Sequence, residues 1–362
     1  MAVLSGFVYM IFAACHLNSA ISSDASDQKK SETVLISILV RNKAHTLPYF
    51  LTYLEKLDYP KDRISLWIRS DHNQDNSIEI VEKWLTEYGH KYHSVHKVLD
   101  KQSPPKIEGE QGLAHWPKSR YHHVIPLRES ALHTARYMWA DYIWVLDCDV
   151  FITNSTTLRD LIAKNLPIVA PALRSDGLYS NFWCGMSSEY YYMRTEEYGP
   201  ILNRKKRGCF TVPMVHSSVL INLRSAASDG LTYDPQALKG YQGPFDDIIT
   251  FARSANMSGI NMTVCNDVIY GYVMVPLERG DLLYYDLLQL KNLKLEVLIN
   301  GPPLEVDPLL EKYVQEATEP PLQIDKIFMI NLKRRPDRRV RMLNSFKELR
   351  LDVETMDAVD GR

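Results

Sequence analysis

"YIWVLDCDVFITN", residues Tyr142 to Asn154, is the stretch on which the reading of this chain turns. Four consecutive apolar side chains, Ile143, Trp144, Val145 and Leu146, mark a strand buried on both faces, and they run straight into Asp147-Cys148-Asp149. Alternation along an extended chain sends Asp147 and Asp149 to the same side. Carboxylates that close raise each other's pKa unless a cation sits between them. Hard divalent ions, Mn2+ or Mg2+, bind carboxylate oxygen and keep open positions for phosphate oxygens. The stretch therefore reads as a seat for a metal ion and a nucleotide-sugar diphosphate, with an ordinary solvated turn as the plainer alternative.

The flanking sequence repeats the same design. Val34–Val40 is another continuous apolar run, followed by a helix that Thr46 is expected to cap. Ile64–Ile68 is a second strand, ending in RSDHNQDN. Asn76 and Glu79 then form a capping-box pattern for a helix that stops at Gly89. His93–Leu99 makes a third, weaker strand. Residues 101–124 read as a polar loop, and a helix from about Pro126 to Trp139 leads into Tyr142. This β-α-β-α rhythm predicts an α/β fold of three layers around a mainly parallel sheet. Ligands in such sheets bind beyond the C-terminal ends of the strands, where Arg41, Asn42, Asp71 and Asp147–Asp149 should converge.

Composition narrows the setting. In 362 residues, 45% hydrophobic and 24% charged, a formal charge of −2 gives no general attraction to nucleic acid, so any anion binding must be local. Residues 1–22 read as a secretory signal peptide, too short for a stable membrane span, with cleavage expected between Ala20 and Ser23. Sequons at Asn154, Asn256 and Asn261 agree with that route. Cys184 and Cys209 flank one loop and suit a bridge, whereas Cys148, inside the apolar strand, reads as a buried thiol.

Further candidates each carry two readings. Asp71 suits a nucleoside base or ribose, or simply a turn. Arg128 suits a phosphate, or an exposed helix start. His216, in the strand-like run Pro213–Leu223, suits a third metal ligand, or a satisfied core position. Asp246 and Asp247 open a helix, where they would serve as caps or supply the general base that deprotonates an acceptor hydroxyl. The aromatic loop Tyr179–Tyr192, with Trp183, suits stacking on a sugar or an extended peptide, or core packing. His115, His122 and His123 lack metal-ligand spacing and read as a solvated loop.

Taken in order, LVRNKAHTLPYFL, RSDHNQDNS, YIWVLDCDVFITN, VPMVHSSVLINL, PFDDIITFA, NGPPLE and IFMINLKRRPDRRVRMLNSF with AVDG resemble one family. They are similar to the procollagen galactosyltransferases, glycosyltransferase family 25 of the endoplasmic reticulum lumen, over about residues 33–362. The resemblance implies a GT-A fold and transfer of galactose from UDP-galactose to hydroxylysine in collagen, with inversion and with Mn2+. It makes Asp147 and Asp149 the Asp-x-Asp of the first of two tandem domains. Val150 stands where family members usually carry Asn. Residues 31–300 are then the GT-A-like domain, 301–322 a Pro- and Glu-rich linker and 323–362 the truncated start of a second domain. The family also contains an adhesion-type member regarded as inactive, so a non-catalytic module binding collagen or a cell-surface partner is the alternative. Self-association is left open.

Overall fold

The computed structural model describes residues 30–318 and 324–359, and the leader expected over residues 1–22 lies outside them. The strands of the main sheet are β1 (Val34–Val40), β2 (Ile64–Ser70), β3 (Ser94–Leu99), β4 (Tyr142–Leu146), β5 (Ile168–Pro171), β6 (Cys209–Val212), β7 (Ser218–Asn222) and β8 (Met262–Cys265). Their order is β6-β8-β5-β7-β4-β1-β2-β3. β4, β1, β2 and β3 are mutually parallel, and β8 is parallel to β5. Only β7, wedged between β4 and β5, and the edge strand β6 run the other way. The expected mainly parallel α/β sheet is what forms.

Alternating side chains divide the core into two layers. Ile36, Ile38 and Trp144 face helices α1 (Leu47–Glu55) and α2 (Ser77–Tyr88), whereas Leu35, Ile143 and Val145 face the opposite layer with α3 (Lys118–Tyr137). Every residue of β4 is buried, and the Trp144 indole N–H donates to Ser218 Oγ at 3.0 Å, so the large ring enters the core with its polar atom satisfied. Also in these layers are α4 (Thr157–Ala163), α5 (Asp247–Met257) and α6 (Leu283–Asn300).

Several local expectations are corrected. Helix α3 begins at Lys118, so His122 and His123 are helical. Pro126 lies inside the helix, where it forfeits a single backbone bond, and Pro117, extended, sets the start. Neither Thr46 nor Asn76 caps its helix through its side chain. The work at the second turn falls to Asp75, whose Oδ1 accepts from the Ser77 N–H and whose Oδ2 accepts from the Ala44 N–H, both at 3.0 Å. That carboxylate ties the loop after β1 to the loop after β2. The bridge joins Cys209 to Cys265, opposite each other on β6 and β8, while Cys184 is free. Sequence proximity favoured Cys184, but cross-strand register decided the pairing. Cys148 is buried and free, as expected.

The run Pro213–Leu223 is not one strand. Met214–Val215 pairs with Phe182–Trp183, Ser217 turns with φ +59°, and β7 follows. The break leaves the Ser217 carbonyl to accept from the Asp147 N–H at 2.8 Å. Close packing fixes the other flank of the carboxylate motif. Val150–Phe151 pairs with Tyr272–Val273, and the Met274 N–H donates to the Asp149 carbonyl at 3.1 Å. A Cβ on Gly271 would lie 2.2 Å from the Phe151 carbonyl oxygen, so only glycine fits there.

Within the stretch read as a linker, Leu304, Leu310 and Tyr313 are buried against the main core. Thr52 Oγ1 and Tyr53 Oη accept from the Asp307 and Glu305 amides. Residues 324–359 hold a parallel strand pair, Phe328–Asn331 and Glu354–Asp357, around helix α7 (Pro336–Glu348). Among the described residues no helix is long and apolar enough to cross a membrane.

Candidate active site

Parallel register brings the end of β1 alongside the end of β4: Ser37 pairs with Val145, and the Cys148 thiol lies 3.3 Å from the Leu39 carbonyl. The loop Arg41-Asn42-Lys43 therefore lies beside Asp147–Asp149. Lys43 Nζ is 2.9 Å from Asp149 Oδ2. Arg128, from α3, reaches Asp147 Oδ1 with Nη2 at 3.2 Å and Asp247 Oδ2 with Nε at 2.5 Å. The cations awaiting the two carboxylates are thus Lys43 and Arg128. Both carboxylates stay accessible, with side chains 26% and 24% exposed, so they line an open edge.

The electrostatics follow from burial. Burial pushes the Asp147 carboxyl above its ordinary value, Arg128 pulls it back and Asp149 adds to the rise. His216 is pushed down to about 4, first by burial and then by the Arg128 charge, so its imidazole is neutral at physiological pH. Asp246 is raised to about 6, by burial first and by Asp247 second. It also caps α5, its Oδ1 accepting from the Ile249 N–H at 2.9 Å. Asp247, by contrast, is buried and paired with Arg128.

Whether a divalent ion fits can be judged from the donors. Among the described residues Asp147, Asp149, Asp246, Asp247 and Asp286 stand around two site cations, Lys43 and Arg128, and this surplus of negative charge is what a further cation would offset. Two carboxylates and a neutral imidazole suit such an ion. The ligand atoms of Asp147, Asp149 and His216 do not all come within 4.8 Å of one another, whereas those of Asp71, His72 and His123 do.

Residues 31–294 match the family model described as glycosyltransferase family 25, N-terminal domain. The chain belongs to glycosyltransferase family 25. It is 52% identical to a glycosyltransferase 25 family member of Anopheles gambiae over 333 residues, 91% of this chain and 56% of that one. It is 48% identical to procollagen galactosyltransferase 2 of Homo sapiens over 336 residues, 92% of this chain and 53% of that one. The chain thus spans a little over half the length of the curated relatives it matches. Among solved structures, S. aureus TarS overlaps with a TM-score of 0.42 at 16% identity, over 78% of this chain and 43% of its own, a likeness too distant to bear on the site.

In this family 25 chain the remaining candidates gather at a second corner of the same sheet edge. Asp71, after β2, accepts from His72 Nδ1 at 2.9 Å and lies 2.9 Å from His123 Nε2 through both oxygens. Its pKa is lowered, because the hydrogen bonds from the two histidines overcome a burial effect that alone would raise it. Arg41 donates to the His72 carbonyl at 3.1 Å and forks onto Glu110 at 2.6 and 2.5 Å. Asn42, with φ +52°, accepts from the Gln74 N–H at 2.6 Å. Reading His123 as part of a solvated loop is therefore corrected: one helical turn before Arg128, it binds Asp71.

Trp183 sits in an aromatic stack. It stacks on Tyr192 and Tyr198 with ring centroids 5.9 and 6.0 Å away, beneath the Arg194 guanidinium. Tyr192, which feels Asp246 and Asp247 and has a buried hydroxyl with no partner, links that stack to the site. Lys43, His45, His72, His123, Glu110 and Asp286 were missed by the sequence reading. Lys43 was legible, since it follows Arg41-Asn42. Asp286 carried no signal, lying in a helix far along the chain.

Proposed function

We propose that this domain transfers galactose from UDP-galactose to a hydroxylysine of a collagen-like polypeptide, with inversion and with Mn2+, in the lumen of the endoplasmic reticulum. The observation that carries the proposal is the accessible Asp147–Asp149 pair at the strand edge, tied through Arg128 to the helix start that Asp246 and Asp247 form. Family membership and the printed names of relatives such as procollagen galactosyltransferase 2 support the donor and acceptor classes.

Asp147, Asp149 and His216 would hold the ion, which when bound supplies charge neutralisation to the departing diphosphate. Arg128 steadies Asp147 and adds a cation at the same edge. Asp71, with Arg41 and Asn42 behind it, would seat the nucleoside. Of the two helix-opening carboxylates, Asp246 is the better base, since Arg128 locks Asp247 in a buried pair. Asp246 takes the proton of the acceptor hydroxyl, whose oxygen bonds to the anomeric carbon as the bond to the phosphate oxygen breaks and UDP departs. Attack opposite the leaving group inverts the centre. Trp183, with Tyr192, would flank the acceptor. Asn256 and Asn261, both exposed, and the half-buried Asn154 would carry N-glycans in that compartment.

Calorimetry with UDP-galactose, with and without Mn2+, on wild type and Asp149→Asn tests the proposal. Metal-dependent binding that Asp149→Asn abolishes is the expected result. No metal-dependent binding by wild type would refute the transferase reading in favour of a binding module.

A further inference from the structure

We propose that Lys43 is the residue that receives the donor's diphosphate, and that Asp286 is the residue that positions it. The inference rests on the nucleotide-sugar reading of the site above.

The backbone of Lys43 is pinned. Its N–H donates to Ser77 Oγ at 2.9 Å, and its carbonyl accepts from the Thr46 and Leu47 amides at 3.0 Å. Only the side chain is free to reorient. Its ammonium lies between carboxylates from two separate parts of the chain, 2.9 Å from Asp149 Oδ2 and 4.0 Å from Asp286 Oδ2. An ammonium on a flexible stem carries three donors; of the two carboxylates only Asp149 is at hydrogen-bond distance, while Asp286 attracts the charge electrostatically, so donors remain for a further acceptor. The Lys43 side chain is a quarter exposed, so a ligand from solvent can reach it.

Asp286 needs a reason to be where it is. It sits on α6, only 5% exposed, and a buried carboxylate is costly unless charge or hydrogen bonds meet it. Its other neighbour is His45, wholly buried, with Nε2 2.8 Å away and Nδ1 without a partner. Asp286 is thus met by Lys43 and His45, both from the loop after β1. The arrangement keeps a cation beside Asp149 while giving it a second anchor.

The consequence concerns ligand binding. A divalent cation at Asp149 takes over the charge that Lys43 now neutralises. Lys43, still held by Asp286, then turns its positive charge to the phosphoryl oxygens arriving with that cation, acting as a point-charge phosphate binder. A purely structural ion pair between α6 and the loop would behave differently, because nothing about it would respond to a nucleotide.

The two roles separate in titration calorimetry of the full chain, using Mn2+ alone and then UDP in the presence of Mn2+. Lys43→Gln frees Asp149, so Mn2+ alone should bind at least about threefold tighter. UDP should bind about 10- to 100-fold weaker, the loss of one charge-assisted contact. Lys43→Arg should restore part of the UDP affinity. Asp286→Asn leaves Lys43 on Asp149, so it should weaken UDP without tightening Mn2+. If Lys43→Gln weakens both ligands, or neither, Lys43 is structural or a bystander and the inference is overturned. If wild type binds no UDP with Mn2+ present, the inference and the nucleotide-sugar reading fall together. Normal UDP binding by wild type and unchanged binding by Lys43→Gln would sink the inference alone. Should Asp286→Asn lose cooperative melting, the partly exposed Lys43→Gln and Lys43→Arg decide.

Discussion

Asp149 and Asp71 both stand at the C-terminal end of a parallel strand, yet they are neutralised in different currencies. Around the Asp147–Asp149 pair the partners are Arg128 and Lys43, permanent cations drawn from α3 and the loop after β1. Around Asp71 the partners are two histidines, one adjacent in sequence and one from α3. The first cluster contains a three-body network, Asp147–Arg128–Asp247, buried at Asp247 and open at Asp147, in which losing the middle member strands two carboxylates. The second is exposed to a similar degree, Asp71 at 21% and His123 at 30%, but there two partners share one carboxylate, so removing either leaves the other. The lesson is that position at the strand end selects for ligands, while the way partners are shared sets how much each one is worth.

The comparison can be broken most decisively at the carboxylates. Asp149→Asn should lower transfer by more than about a hundredfold and Asp71→Asn by only about tenfold, in steady-state assays of hexose transfer to a hydroxylysine peptide. Equal losses would erase the distinction between the two corners. Stability offers the next test. Arg128→Met should cost about 3–5 kcal/mol in denaturant unfolding, because Asp247 and Asp147 lose their shared cation. His123→Gln at the other corner, where His72 still meets Asp71, should cost less than about 1 kcal/mol.

The pH profile sharpens the assignment of the base. Asp246 has its pKa raised to about 6, so it is protonated and useless as a base below that value. The rate should therefore fall as pH drops through about 6, by about tenfold per unit, and Asp246→Asn should remove that limb together with most of the activity. A wild-type profile flat from pH 5 to 7 would count against Asp246. The smallest contrast lies between cysteines. Cys209→Ser opens a 56-residue loop and should cost about 2–4 kcal/mol, whereas Cys184→Ser should fall within about 0.5 kcal/mol of wild type.

How far the site was legible depended on the range of the contacts. Ile143–Leu146 announce a doubly buried strand because each side chain must leave water, and Asp147 and Asp149 announce the edge where that strand meets solvent. Arg128 was visible as a cation on the helix before that strand. His123 was not, because Pro126 resembles a helix start and concealed two turns of helix. His216 was visible as a residue, but the turn at Ser217 that brings its strand segment to Asp147 exists only through the bond between the two backbones.

Local chemistry alone determined the four parallel strands between Val34 and Leu146, the acidic edge and the family to which the chain belongs, since these follow from which side chains avoid water and how they alternate. Tertiary structure decided the rest: which cation faces which carboxylate, that Arg128 pairs with Asp247 rather than Asp246, that Cys209 meets Cys265, and that Asp286 reaches Lys43. Those outcomes depend on strand register and on the crossing of distant helices. No window of sequence contains them, because the energy that selects them is shared among groups that become neighbours only when the sheet closes.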